Sequence, residues 1–194
     1  MPEQAQASPN EGAVRMPPAT GAVMAAAIGA VAVAGWCLVG VTAAVGICAA
    51  GIFLAIAVMD AIELRIPDRL SLPLIAAGVV LAAAGVWPVE VLPAVGGATA
   101  LYALGALFST VGRRIGVGAV VFGRGDWKLL AATGAWLGIG TGAGAAATAL
   151  LGSAAWLLLQ ARIDRTSTVA LPFGMILGPV GAAGVLWTAF APIG

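Results

Sequence analysis

Apolar positions in this chain run together in long blocks, interrupted by isolated charges and by proline and glycine clusters. A bilayer core of about 30 Å demands roughly 20 apolar residues per helical crossing, so block length sets the expected spans. Residues 19–59 form 41 apolar or small positions, about two crossings, and divide near Gly40 into spans at 21–39 and 42–60. A third span is expected at 70–86, then a loop Trp87-Pro88-Val89-Glu90 and a fourth span at 91–111. Residues 129–161 hold 33 uncharged positions. As one helix they would reach about 50 Å, too long for the bilayer. The glycine-rich GIGTGAG at 138–144 is the natural break, giving fifth and sixth helices, and a seventh covers roughly 170–190. The expected fold is an all-α polytopic membrane bundle of about seven transmembrane helices.

Residues 1–18 carry Glu3, Glu11, Arg15 and four prolines with no apolar face. They are expected to form a disordered cytoplasmic tail, residues 1–20, ahead of a membrane-embedded domain at 21–192. The apolar run that follows is too long for a signal-peptide core, so no cleavage is expected.

Composition agrees: the 194 residues are 61% hydrophobic and 9% charged, with a mean hydropathy of +1.07. A net charge of +1 and no basic run longer than Arg113-Arg114 exclude nucleic acid as a partner. With no histidine, Ser-His-Asp and Cys-His catalysis and most zinc sites are closed. A Ser-Lys dyad would need Lys128, the only lysine, and no serine is near it in sequence. Cys37 and Cys48 are about 16 Å apart along a helix and cannot pair there. They read as small buried hydrophobes. No metal or cofactor is expected.

Orientation rests on the basic residues. With seven spans and the amino terminus inside, Arg15, Arg65, Arg69, Arg113, Arg114, Arg124, Lys128, Arg162 and Arg165 all fall on the inner side, and Glu90 outside. The same count brings two acids to one side. Asp60 closes a 44-residue uncharged stretch, and Asp126 precedes another long apolar run. Ionisable groups at membrane depth are costly and mark functional sites.

Two close carboxylates in a poorly solvated site do not both ionise, which supplies an acid and a base at neutral pH. Such a pair can activate water against a peptide carbonyl and protonate the leaving amine. The bland alternative is that both acids snorkel to the interface or pair with Arg65 and Arg124. A proton-coupled transporter is another, with the acids as a relay; relay acids belong mid-helix, and these are expected at helix ends. Asp126 is near a helix amino terminus and Asp60 near a carboxyl terminus. Asp126 is therefore expected to be the ionised base and Asp60 the protonated acid.

The segments DAIELRIPDRLSLP at 60–73 and FGRGDWKLL at 122–130 resemble the two signature regions of the prepilin peptidase family, GxGD-type membrane aspartic proteases. The first family aspartate lies seven residues before the proline of I-P-[DN]-x-L, which selects Asp60 and Pro67. The second belongs to G-x-G-D-x-K, matched by Gly123, Gly125, Asp126 and Lys128. LPFG at 171–174 resembles a P-F-G segment opening the last helix, so Pro172, Phe173 and Gly174 are candidate cleft-shaping residues. The resemblance runs from about residue 50 to 180 and also implies a six-helix core, which leaves either one helix ahead of it or a different division of residues 19–59. A presenilin-like protease shares GxGD; the I-P-D-x-L segment favours the prepilin branch.

What the resemblance implies is an aspartic endopeptidase of the cell membrane, cutting the basic leader of type IV pilin-like precursors after a glycine at the cytoplasmic boundary. Longer members carry two C-x-x-C pairs and also methylate the new amino terminus. This chain has no C-x-x-C, so the expectation is for peptidase activity, with methylation left open. Gly123 and Gly125 would let a substrate strand approach Asp126. Lys128, about 200° around the helix from Asp126, is expected to anchor at lipid headgroups. Asp68 is expected to cap the third span, and Glu63 and Arg65 to form a solvated loop.

Overall fold

The computed structural model describes residues 26–31, 33, 40–63, 66–114, 123–163 and 173–191. The tail at 1–20, Cys37, Arg65, Arg165 and Pro172 lie outside the described residues. Among the described residues every element is helical: α1 (Val41–Glu63), α2 (Asp68–Ala83), α3 (Val91–Arg114), α4 (Arg124–Ile163) and α5 (Phe173–Phe190). Residues 26–31 are helical too, and Ile28 packs on Gly51 of α1. By length and composition Val41–Glu63, Val91–Val111, Arg124–Trp156 and Phe173–Phe190 each suffice to cross a membrane, the third of them being broken at Gly138. The protein is a polytopic helical bundle. Most of the first expected span, 21–39, lies outside the described residues.

The expected division near Gly40 is present. Gly40 has φ +98° and α1 begins at the next residue. Only glycine takes that backbone conformation without a steric penalty, so the helix start is fixed locally. The end of α1 differs from expectation, since it continues through Glu63 and leaves Asp60 in its last turn. Pro67 stands at the amino-terminal boundary of α2, with φ −74° and ψ 132°. That is the extended geometry a residue preceding a helix adopts.

The break expected at 138–144 is a full reversal. Gly138 has φ +72° and ψ 179°, the one non-helical residue inside Arg124–Ile163. A methyl group added at Gly142 would lie 3.2 Å from Gly134 Cα, although eight residues of continuous helix would separate them by about 12 Å. The arms before and after Gly138 therefore run back along each other. This φ/ψ combination is essentially restricted to glycine.

Between helices in lipid, close packing replaces the hydrophobic drive, and small residues permit it. At the crossing of α3 and α4 an added methyl on Gly134 would stand 2.3 Å from the Gly97 carbonyl carbon, so the backbones themselves are in contact. Along α1 and α5, Gly178 rests on Ala57 and on the Phe53 carbonyl. Helix α4 packs against α2, α3 and α5, and α1 packs chiefly against α5. Phe53, Ile56, Leu129, Phe173, Leu177 and Val185 fill the interior.

Two tryptophans tie the connection after α2 into this core. Trp87 Nε1 donates to the Trp136 carbonyl at 2.7 Å, Trp136 Nε1 donates to the Leu74 carbonyl at 2.8 Å, and the rings meet edge to face at 4.9 Å. Buried indole N–H groups need such partners, and the Leu74 carbonyl gains a donor beyond the helix.

Candidate active site

The end of α1, the start of α2, the start of α4 and the start of α5 meet at one end of the bundle. Asp60 reaches this end from α1 and is buried, 5% exposed. Its Oδ2 accepts a hydrogen bond from the Met175 N–H at 3.1 Å, and the Gly174 N–H also contacts it. These are donors in the first turn of α5, where helix N–H groups have no partner in their own helix. An added methyl on Gly174 would sit 2.8 Å from Asp60 Oδ2. Glycine at 174 thus makes room for the carboxylate.

Asp126 occupies the first turn of α4 and is half-buried. Its Oδ2 accepts from the Gly123 N–H at 2.8 Å, and its own N–H donates to the Gly123 carbonyl at 3.1 Å. That reciprocal arrangement is a form of capping box, which holds the side chain and the chain entry to α4 in one geometry. Asp60 lies close enough for its charge to act on Asp126. Among the described residues no three side chains gather that could hold a metal.

Ile66, buried at 9% exposure, lies between the supports of the two acids. An added methyl on Gly125 would come 2.7 Å from Ile66 Cβ, and one on Gly174 would come 3.0 Å from Ile66 Cδ1. Of the residues singled out from sequence, Asp60, Asp126, Gly123, Gly125 and Gly174 come together here. Phe173 is buried beneath them in the core, at 1% exposure. Pro67 lies one residue beyond Ile66.

Two expectations change. Lys128 does not extend freely toward headgroups; its Nζ donates to Asp68 Oδ1 at 2.5 Å. Asp68 makes no side-chain cap of α2, because its carboxylate is taken by Lys128 and Pro67 stands at the cap position. Ile66 was missed altogether. Its only signal was its place in I-P-D beside a glycine-flanked acid, and an isoleucine among apolar residues does not stand out.

A profile of the type IV leader peptidase family matches residues 47–190, most of the chain and all of the helices that build this site. The chain belongs to the type IV leader peptidase family. A curated family relative from Pseudomonas putida, named as a prepilin leader peptidase/N-methyltransferase, is 35% identical over 142 residues, 69% of this chain and 46% of that protein. The chain thus spans about half the length of the curated leader peptidase it matches. No solved structure matches it. Family membership and the four long apolar helices together make this leader peptidase family member a multi-pass membrane protein.

Proposed function

We propose that this protein hydrolyses the leader of type IV prepilin-like precursors at the cytoplasmic membrane boundary, with Asp60 and Asp126 activating the attacking water. The observation that carries the reading is the meeting of two carboxylates 66 positions apart in sequence, at one end of a membrane bundle, each held by backbone N–H groups. Carboxylates so held are oriented before substrate arrives, which is where positioning lowers a barrier. One accepts the proton of water as it attacks the carbonyl, and the other protonates the amine that leaves.

Charge at the same end of the bundle supports the cytoplasmic side. Arg69 starts α2, Arg114 ends α3, and Arg124 and Lys128 start α4, while Glu90 precedes α3 at the opposite end. Cytoplasmic ends of membrane helices collect arginine and lysine. A prepilin inserted with its leader inside would present its scissile bond at that level. The division of labour between the acids does not follow from their own helices alone, since Asp60 also meets the amino-terminal turn of α5.

The test is cleavage of a prepilin by the purified protein in detergent, with Asp60→Asn and Asp126→Asn beside the parent. Each substitution is expected to lower the rate by about 100-fold or more, the scale of a lost general acid or base. Cleavage by either variant at the parental rate overturns the assignment.

A further inference from the structure

We infer that Ile66 is a positioning residue that sets the separation of the two carboxylates, and that the Lys128–Asp68 ion pair holds it in place. The inference rests on the reading of Asp60 and Asp126 as the reacting pair. Its basis is that a single buried side chain touches the support of each acid. On one side, Ile66 Cβ lies against Gly125, the residue before Asp126. On the other, Ile66 Cδ1 lies against Gly174, whose missing side chain admits Asp60 Oδ2. Both contacts are tighter than a methyl group would allow, so glycine on each side lets the isoleucine fill the gap without slack. Closely packed side chains transmit displacement rather than absorbing it.

Isoleucine suits the role. Branching at Cβ leaves few χ1 rotamers, so its width between two backbones is nearly constant. The residue after it, Pro67, has a ring-fixed φ of −74° that restricts the backbone of Ile66 as well. What remains free is sliding of the whole I-P-D segment along α4. Lys128 opposes that motion, because it reaches from the second turn of α4 across to Asp68, the first residue of α2. Lys128 Nζ and Asp68 Oδ1 lie within hydrogen-bonding distance, with the Asp68 side chain 61% exposed and Lys128 21% exposed. An ion pair that open adds little to stability. Its effect is on register: it connects the segment carrying Ile66 directly to the start of α4, which carries Asp126.

The experiment measures kcat and KM for prepilin cleavage by the full chain in detergent, and spacing by a readout that needs no catalysis. Ile66→Ala is expected to lower kcat by about 100-fold, the scale of a 1 Å misplacement of reacting groups, with KM within about twofold of the parent. Ile66→Val, which keeps the branch against Gly125 but loses the Cδ1 that meets Gly174, is expected to lower kcat by up to about tenfold, so the series is readable even where the alanine variant folds poorly. Lys128→Asp and Asp68→Lys singly are expected to lower kcat by about two- to fivefold, and together to restore it, since the pair is re-formed with reversed sign.

For spacing, Asp60→Cys and Asp126→Cys are combined in a chain with Cys37 and Cys48 replaced by alanine, and joined with bifunctional thiol reagents of graded length. Ile66→Ala in that background is expected to move the best yield to a different reagent length and to broaden the profile. An unchanged crosslinking profile together with a parental kcat for Ile66→Ala overturns the inference, while loss of activity in Asp60→Asn leaves the dyad standing. Parental cleavage by the Asp→Asn variants instead overturns the dyad, and the crosslinking profile still reports on Ile66.

Discussion

Glycines at the crossing of α3 and α4 and glycines at the carboxylate end are equally crowded, yet they admit different things. Gly97 and Gly134 admit each other's backbone: an added methyl on Gly97 would meet the Gly134 carbonyl oxygen at 2.6 Å. Gly125 and Gly174 admit side chains, Ile66 at 2.7 Å and the Asp60 carboxylate at 2.8 Å. Backbone cannot retreat from a new side chain without moving a helix. The Asp60 carboxylate beside Gly174 can turn aside and leave the helices where they are, whereas Ile66 Cβ beside Gly125 is tied to its own backbone. The first set therefore holds the fold, and the second holds the geometry of the acids.

Substitutions at each place separate these roles. Gly134→Val is expected to have the largest effect, about 3 kcal/mol or more of destabilisation, because two further carbons must fit where one already meets the Gly97 backbone. Thermal unfolding in detergent would register it as a lost or strongly lowered transition, and a melting curve matching the parent would break the comparison. Gly174→Ala comes next. Its methyl displaces Asp60 while the helices stay packed, so cleavage is expected to fall about 100-fold with the unfolding temperature nearly unchanged. Equal losses of stability and activity would erase the distinction. The smallest effect sharpens it from the other side. Gly96 neighbours Gly97 but has open space where its Cβ would be. Gly96→Ala is expected to raise stability by up to about 1 kcal/mol through helix propensity, with cleavage unaltered.

The two regions also differed in how far they could be read in advance. Block lengths located the break at Gly40 and the reversal within 138–144, because a bilayer bounds the length of an apolar helix. They could not say that Gly138 alone carries the reversal, since several glycines there could take its φ. Asp60 and Asp126 stood out because charge is rare in such a chain. Their supports did not: Met175 lies 115 positions from Asp60, and Lys128 lies 60 from Asp68. Those pairings depend on which helix ends meet, and helices apolar on every side give little signal of their facing partners. The Trp87–Trp136–Leu74 ladder was hidden for the same reason. Ile66 was illegible because its role lies in its width, which only the neighbouring backbones reveal.

Gly105 of α3 faces Trp127, the residue after Asp126, and α3 then continues to Arg114. Those nine further residues carry the helix about 13 Å past the level of the acid. Asp126 thus stands at the foot of a wall formed by the end of α3. At about 3.3 Å per residue, an extended chain lying against that wall would pass it with roughly four residues before its backbone drew level with Asp126. Under the proposed function, reach would join local chemistry in deciding which chains are cut: a flexible stretch shorter than that would stop short of Asp126.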